Sequence, residues 1–152
     1  MKVTLQSLEQ SQRFGLHLGR LLKGGEVIEL VGDVGAGKTA LTKAIATGMG
    51  IDGEVQSPTF TLSREYDAPN GLRLVHYDFY RLSEPGIMAA ELQESVGSSA
   101  IVTVVEWGEI VHGVMPIDRL TITMMSVSEH ARELVVTAGG ARSRRLIEEL
   151  QV

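Results

Sequence analysis

The residues most able to do chemistry begin with the run Gly32-Asp33-Val34-Gly35-Ala36-Gly37-Lys38-Thr39. Glycines at 32, 35 and 37 let the backbone curl until successive N–H groups point at one centre. Such a ring of donors suits a cluster of oxyanions, as a nucleoside triphosphate presents. A helix opening at Lys38 would aim its positive end at the same place, and Lys38 adds a full charge. The Thr39 hydroxyl is a hard oxygen ligand of the kind Mg²⁺ prefers. The run satisfies the phosphate-loop pattern G-x-x-x-x-G-K-[ST] in full. Gly35, Ala36, Gly37 and Ala40 therefore join Lys38 and Thr39 as expected phosphate contacts, largely through backbone N–H groups.

Hydrolysis at such a loop calls for a further acid at the end of a buried strand. Two residues qualify. Glu106 ends the uninterrupted run Ile101-Val-Thr-Val-Val105, and Asp78 ends the more polar run Leu72-Arg-Leu-Val-His-Tyr77. The apolar run reads as a central parallel strand, so Glu106 fits the magnesium role better, with Thr39 as the second metal ligand. Asp78 is then a second-shell magnesium contact, a group positioning the attacking water, or a plain turn aspartate. Lys38, Asp78 and Glu106 form the expected catalytic set. Trp107, the sole tryptophan, follows Glu106 and either neighbours the nucleotide or packs a strand end. Ser57-Pro58-Thr59 is either a nucleotide-responsive loop or a simple entry into a strand. His76 lies two residues before Asp78 and would share its strand face; a single hydrogen-bonded histidine is the commoner arrangement than a metal pair.

These groups need a scaffold. Val3-Thr4-Leu5 can start a strand, and Ser7 with Gln10 resembles a capping box for a helix. Phe14, Leu18, Leu21 and Leu22 give that helix one apolar face, and Lys23-Gly24-Gly25 ends it. Val27 to Val31 reads as a buried strand, and Lys38 to Met49 as a helix stopping at Gly50. Thr59 to Tyr66 and Leu72 to Tyr77 form a predicted antiparallel hairpin around the turn Asp67-Ala-Pro-Asn-Gly71. Ile87 to Val96 is a predicted helix, Leu120 to Val127 and Glu133 to Thr137 are predicted strands, and Ser143 to Leu150 is a predicted last helix. The expected fold is one α/β domain over residues 1–152, P-loop NTPase-like, with a mixed parallel and antiparallel sheet flanked by helices.

Composition narrows the classes. The 152 residues are 43% hydrophobic and include no cysteine, which excludes disulfides and cysteine-ligated metals. No apolar run reaches the roughly 20 residues of a membrane span. The polar start MKVTLQSLEQ is unlike a signal peptide, so a soluble cytoplasmic protein is expected. Between Glu84 and Glu109 there are five glutamates and no Lys or Arg, while the remainder balances 14 acids against 14 bases. This stretch is either a solvated helix face with site acids or a docking face for a basic partner. Arg142, Arg144 and Arg145 form a small basic cluster.

Four features stand together: the loop at 32–39, Ser57-Pro-Thr-Phe-Thr-Leu62, His76-Tyr-Asp-Phe-Tyr-Arg81, and Glu106-Trp107. In order and spacing they resemble the TsaE (YjeE) family over nearly the whole chain. The resemblance implies a small ATPase of tRNA threonylcarbamoyladenosine biosynthesis that assembles with TsaB and TsaD. In that pathway TsaD transfers a threonylcarbamoyl group to N6 of adenosine 37 of tRNA. The TsaE-type subunit binds and slowly hydrolyses ATP with Mg²⁺ and resets the complex, meeting tRNA only through it. It also implies that Ser57 and Thr59 belong to a mobile loop, that Asp78 lies near the γ-phosphate, and that Trp107 neighbours the nucleotide. Glu9 and Arg132 are implied as further nucleotide contacts. One departure is Ala40, where the family usually has a second threonine; a hydroxyl contact is lost and the backbone N–H stays. Two other classes compete: a P-loop kinase of a small metabolite, and a nucleotide-gated binding module without required hydrolysis. No base-specifying N-K-x-D motif is present, so ATP over GTP rests on the resemblance.

Overall fold

A computed structural model describes residues 1–58 and 62–151. Seven strands form one mixed sheet: β1 (Lys2–Leu5), β2 (Val27–Val31), β3 (Ser63–Asp67), β4 (Arg73–Asp78), β5 (Ile101–Glu106), β6 (Leu120–Ser126) and β7 (Arg132–Ala138). Their order across the sheet is β1-β7-β6-β2-β5-β4-β3. The four central strands run parallel, and the outer pairs β3–β4, β6–β7 and β1–β7 are antiparallel. The expected mixed sheet is therefore present, with the hairpin at 67–71 turning through Gly71 at φ +86°. The first residues of the expected strand from Thr59, residues 59–61, lie outside the described residues.

Two layers of helix cover the sheet. On one face lie α1 (Leu8–Leu21), α2 (Lys38–Gly48) and α4 (Ala141–Leu150), packed on Ile28, Leu30, Val102, Val104 and Ile122. On the other lie α3 (Gly86–Val96) and a 3-10 segment (Gly108–Val114), over Val27, Val75, Tyr77 and Val105. Strand alternation sends odd and even residues of β2 and β5 to opposite layers, and the sequence satisfies both. Ser7 caps α1 by accepting from Gln10 N at 3.1 Å, and the Gln10 side chain returns to Gln6 N at 2.8 Å. Helix α4 starts two residues before the sequence expectation. Asp118, from the loop before β6, accepts from the backbone N–H groups of Arg142 and Ser143, and this distant cap cannot be read from local pattern. Among the described residues no helix is long and apolar enough to cross a membrane.

Helices α1 and α2 cross at small residues. A Cβ on Gly19 would stand 2.1 Å from the Ile45 carbonyl oxygen, and one on Gly48 2.3 Å from that of Leu16. Both obstacles are backbone, which no rotamer change relieves. Beneath the 3-10 segment, Glu29 is a buried carboxylate in the middle of β2. It accepts from Arg119 Nε at 3.0 Å and is paired with His112 Nε2 at 2.7 Å. Burial alone would raise its carboxyl, but the bonds and charges of His112 and Arg119 win and hold it below the ordinary glutamate range.

Two outcomes follow for stability. Gly19→Ala gains up to about 1 kcal/mol of helix propensity but forces the crossing apart at about 2–3 kcal/mol, the upper part of the overpacking range because the obstacle is backbone. A net loss of roughly 1–2 kcal/mol is expected in denaturant unfolding, and a variant as stable as the parent would show that the crossing is loose. Glu29→Gln should cost about 3 kcal/mol at neutral pH by stranding Arg119. A depressed carboxyl stabilises above its unfolded value and loses that contribution as pH falls through the folded one. The gap between parent and Glu29→Gln should therefore narrow as pH falls below the ordinary glutamate range; a constant gap would contradict the assignment.

Candidate functional site

Parallel pairing brings three strand ends together. Leu30 pairs with Glu106, and Asp78 pairs with Glu106 from the other side. The phosphate loop leaves β2 immediately beyond this row and runs into α2 at Lys38. Gly35 and Gly37 take φ +86° and +103°, a left-handed backbone that glycine adopts without steric cost. A cleft of about 350 Å³ opens above the loop. Val34, Gly35, Gly37, Lys38, Thr39, Ala40, Ser57, Asp78, Tyr80, Glu106 and Trp107 line it. Ala36 sits buried under the loop, its carbonyl accepting from Arg132 Nε at 2.9 Å.

Lys38 is buried and its ammonium is held twice. Nζ donates to the Gly32 carbonyl at 2.6 Å and lies 4.0 Å from the centroid of the Trp107 ring. Tyr80 packs on the other partner of that contact, with its ring 4.8 Å from Trp107 and tilted 49°. Trp107 itself adopts a left-handed backbone, φ 57° and ψ 48°, at the corner between β5 and the 3-10 segment. Leu62 is the other non-glycine residue with positive φ among those described, at 64°. Both lie beside the cleft region, where backbone strain commonly concentrates. Trp107 thus lines the cleft and packs at the same time, which joins the two readings of it.

The acids differ in what holds them. Asp78 is half-buried; its Oδ1 accepts from Tyr80 N at 3.0 Å and its Oδ2 from Ser57 Oγ at 3.4 Å. Glu106 is only 3% exposed, and its Oε2 is 2.6 Å from His76 Nε2. Its Oε1 has no hydrogen-bond partner among the described residues. Thr39, Asp78 and Glu106 give the cleft hard oxygen donors. Among the described residues no group of three or more His, Cys, Asp or Glu could hold a metal ion by itself. A cation here would need ligand phosphate or water to complete its shell, which suits Mg²⁺ better than a metal held in an all-protein cage.

A second, larger cleft of about 480 Å³ joins the first at Gly37 and Ala40. Its lining is mostly apolar, with Leu5, Leu8, Leu16, Leu41, Met124 and Leu134. Glu9, Gln12, Lys43 and Arg132 stand among them. Ser11 Oγ, also on this cleft, is buried with no hydrogen-bond partner among the described residues. An apolar slot with a few polar groups, opening onto a phosphate cradle, has the form of a nucleoside site. Glu9 and Arg132, from the two ends of the sequence, both line it; Glu9 pairs with Arg13, and Arg132 donates to the Ala36 carbonyl.

The other residues singled out by type are distributed differently. Thr59 lies outside the described residues. Arg81 is exposed and lines a small depression with Pro58, Leu62, Asp78 and Tyr80, beside the phosphate cleft. Arg142, Arg144 and Arg145 are exposed on α4 and line neither cleft. Glu84, Glu91, Glu94 and Glu109 are exposed, and Glu106 alone of the acidic stretch is inside. Tyr80 stands in the His76–Arg81 motif, but sequence pattern did not show its packing on Trp107, nor did it single out Ser11 or the pairing of His76 with Glu106. The last is a cross-strand contact, legible only once register is known.

The family model for threonylcarbamoyl adenosine biosynthesis protein TsaE matches residues 5–134. A tRNA threonylcarbamoyladenosine biosynthesis protein TsaE of Bacillus subtilis is 39% identical over 128 residues, covering 84% of this chain and 79% of the relative. The protein of the same name from Treponema pallidum is 38% identical, covering 90% of this chain and 99% of the relative. A crystal structure of YdiB from Bacillus subtilis superposes with a TM-score of 0.79 at 32% identity, covering 99% of this chain and 93% of that one. The chain belongs to the TsaE family of threonylcarbamoyl adenosine biosynthesis proteins.

Proposed function

We propose that this chain is an ATP-binding, slowly ATP-hydrolysing subunit of tRNA threonylcarbamoyladenosine formation, a single domain working in the cytoplasm with TsaB- and TsaD-type proteins. One observation carries the reading: the phosphate loop, Thr39, Asp78 and Glu106 line one cleft that opens into an apolar slot. The relatives' names supply the pathway. The slot between α1 and β7 takes the nucleoside, with Glu9, Ser11 and Arg132 at its polar positions. The loop amides and Lys38 take the phosphates. Thr39 and Glu106 hold Mg²⁺, which when bound neutralises phosphate charge.

Water attacks the γ-phosphorus in line, the bond to the β,γ-bridging oxygen breaks, and ADP leaves with that electron pair. Asp78 lies beside Glu106 and orients the attacking water, while its bond to Ser57 ties the 57–58 segment to the reacting end. Among the described residues no arginine lines the phosphate cleft; Arg132 lies on the larger cleft, bonded to the Ala36 carbonyl, and Arg81 lines the depression beside the phosphate cleft. An arginine supplied to the transition state is worth about 10³–10⁵ in rate. The isolated chain should accordingly turn over below about 1 s⁻¹ and accelerate only in the complex.

Lys38→Ala should weaken ATP binding at least about a hundredfold, the loss of a charge-assisted contact in a buried cradle. Glu106→Gln should keep nucleotide binding without Mg²⁺ and lose hydrolysis. Both should fail to support tRNA threonylcarbamoyladenosine synthesis in a reconstituted assay with the partner proteins. Full support from Glu106→Gln would mean that nucleotide binding suffices. Turnover of tens per second by the chain alone would defeat the slow-ATPase reading. Trp107 is the only tryptophan, so its emission reports the site directly. ATP drawing the Lys38 ammonium off the ring should change that emission, and an unchanged spectrum at saturation would place the nucleotide elsewhere.

A further inference from the structure

Glu106 is an unusual carboxylate for its setting. It is almost fully buried, yet among the described residues no lysine or arginine pairs with it. Its partner is His76, which is 0% exposed and lies on β4 opposite Val104, two residues before Glu106 and on the same face of the sheet. A carboxylate oxygen accepts, so the His76 ring donates from Nε2 at 2.6 Å. The other ring nitrogen, Nδ1, is buried and has no hydrogen-bond partner among the described residues. A leucine would fill the same place in the core and leave no nitrogen unpaired. The one polar contact that His76 makes is thus to the acid at the floor of the phosphate cleft. That contact occupies Oε2 alone. It fixes the plane of the carboxylate and leaves Oε1 for the cleft that Glu106 lines.

We propose that His76 is a positioning residue, whose Nε2–H holds Glu106 Oε2 so that Oε1 is presented as a one-oxygen ligand for the divalent cation that arrives with the nucleotide. The inference rests on the reading of Glu106 as a cation ligand. Partners that orient a metal ligand typically change metal affinity 10- to 100-fold when removed. A merely structural histidine would alter stability and leave the cation requirement where it was.

The test measures binding, not turnover. ADP affinity is read from Trp107 emission in EDTA, and Mn²⁺ bound in the presence of saturating ADP is read from loss of the free-ion electron paramagnetic resonance signal. His76→Leu should raise the half-saturating Mn²⁺ concentration 10- to 100-fold, with ADP affinity in EDTA within about twofold of the parent. His76→Gln, whose amide N–H reaches about as far as Nε2, should restore it to within about threefold. Should His76→Leu fail to fold, His76→Asn takes its place; its amide is one methylene short of Glu106, so it should show the raised requirement while His76→Gln does not. An unchanged Mn²⁺ requirement in the folded variant that lacks the donor overturns the proposal, as does an equal defect in His76→Gln. Glu106→Gln separates the two levels. If it raises the Mn²⁺ requirement and the His76 variants do not, only the positioning role falls. If Glu106→Gln itself binds Mn²⁺ as the parent does, the ligand reading falls and the positioning role with it.

Discussion

Parallel pairing of β2, β5 and β4 is the constraint on which the site depends. Parallel neighbours run the same way, so their carboxyl ends finish on one edge of the sheet. The register aligns Leu30, Glu106 and Asp78 in a single row. The phosphate loop springs from the strand at one end of that row, and the two acids end the other strands. No loop has to be long or mobile to assemble these groups. A slip of one residue in β4 would turn Asp78 and His76 to the opposite layer and separate both from Glu106.

The two helical layers then do different work. The layer of α1, α2 and α4 carries the two joined clefts and the close helix crossing at Gly19 and Gly48. Because those backbones touch, α1 brings Leu8, Glu9 and Gln12 beside the first turn of α2, and the slot forms between them and β7. The opposite layer carries no comparable opening among the described residues. Its polar centre is Glu29 with Arg119 and His112, which anchors the 3-10 segment that begins directly after Trp107. Gly108 leaves little room there, since a Cβ would stand 3.0 Å from Glu29 Oε2. Packing on one face of the sheet thereby holds the strained corner whose tryptophan faces the site on the other.

Lys38 is held by its own loop and a neighbouring ring. Its ammonium is shared between a carbonyl of its own loop and the face of Trp107. Both contacts are weaker than a phosphate oxyanion would be, so the charge is kept in place and remains available. Glu106 is treated in the same manner by His76: oriented by a donor, with one oxygen left open.

The local sequence determined the phosphate loop, the alternation of buried strands and helices, the 67–71 hairpin, and the two acids at strand ends. These are short-range patterns, in which residue type and spacing dictate backbone geometry within one element. The bond between Ser57 and Asp78 joins two of the sequence motifs, and that contact is decided by the fold. Only the tertiary structure decided which acid keeps an open oxygen, since that depends on Tyr80 and Ser57 holding Asp78 while His76 takes half of Glu106. It alone brought Glu9 and Arg132, 123 positions apart, to one cleft, and exposed the buried Ser11 hydroxyl as part of the same slot. It also revealed Glu29, a charge inside a strand that reads as apolar, together with the distant Arg119 that makes its burial tolerable. Such contacts are set by sheet register and helix crossing, which arise from the packing of the whole chain and leave no mark on the spacing of neighbouring residues.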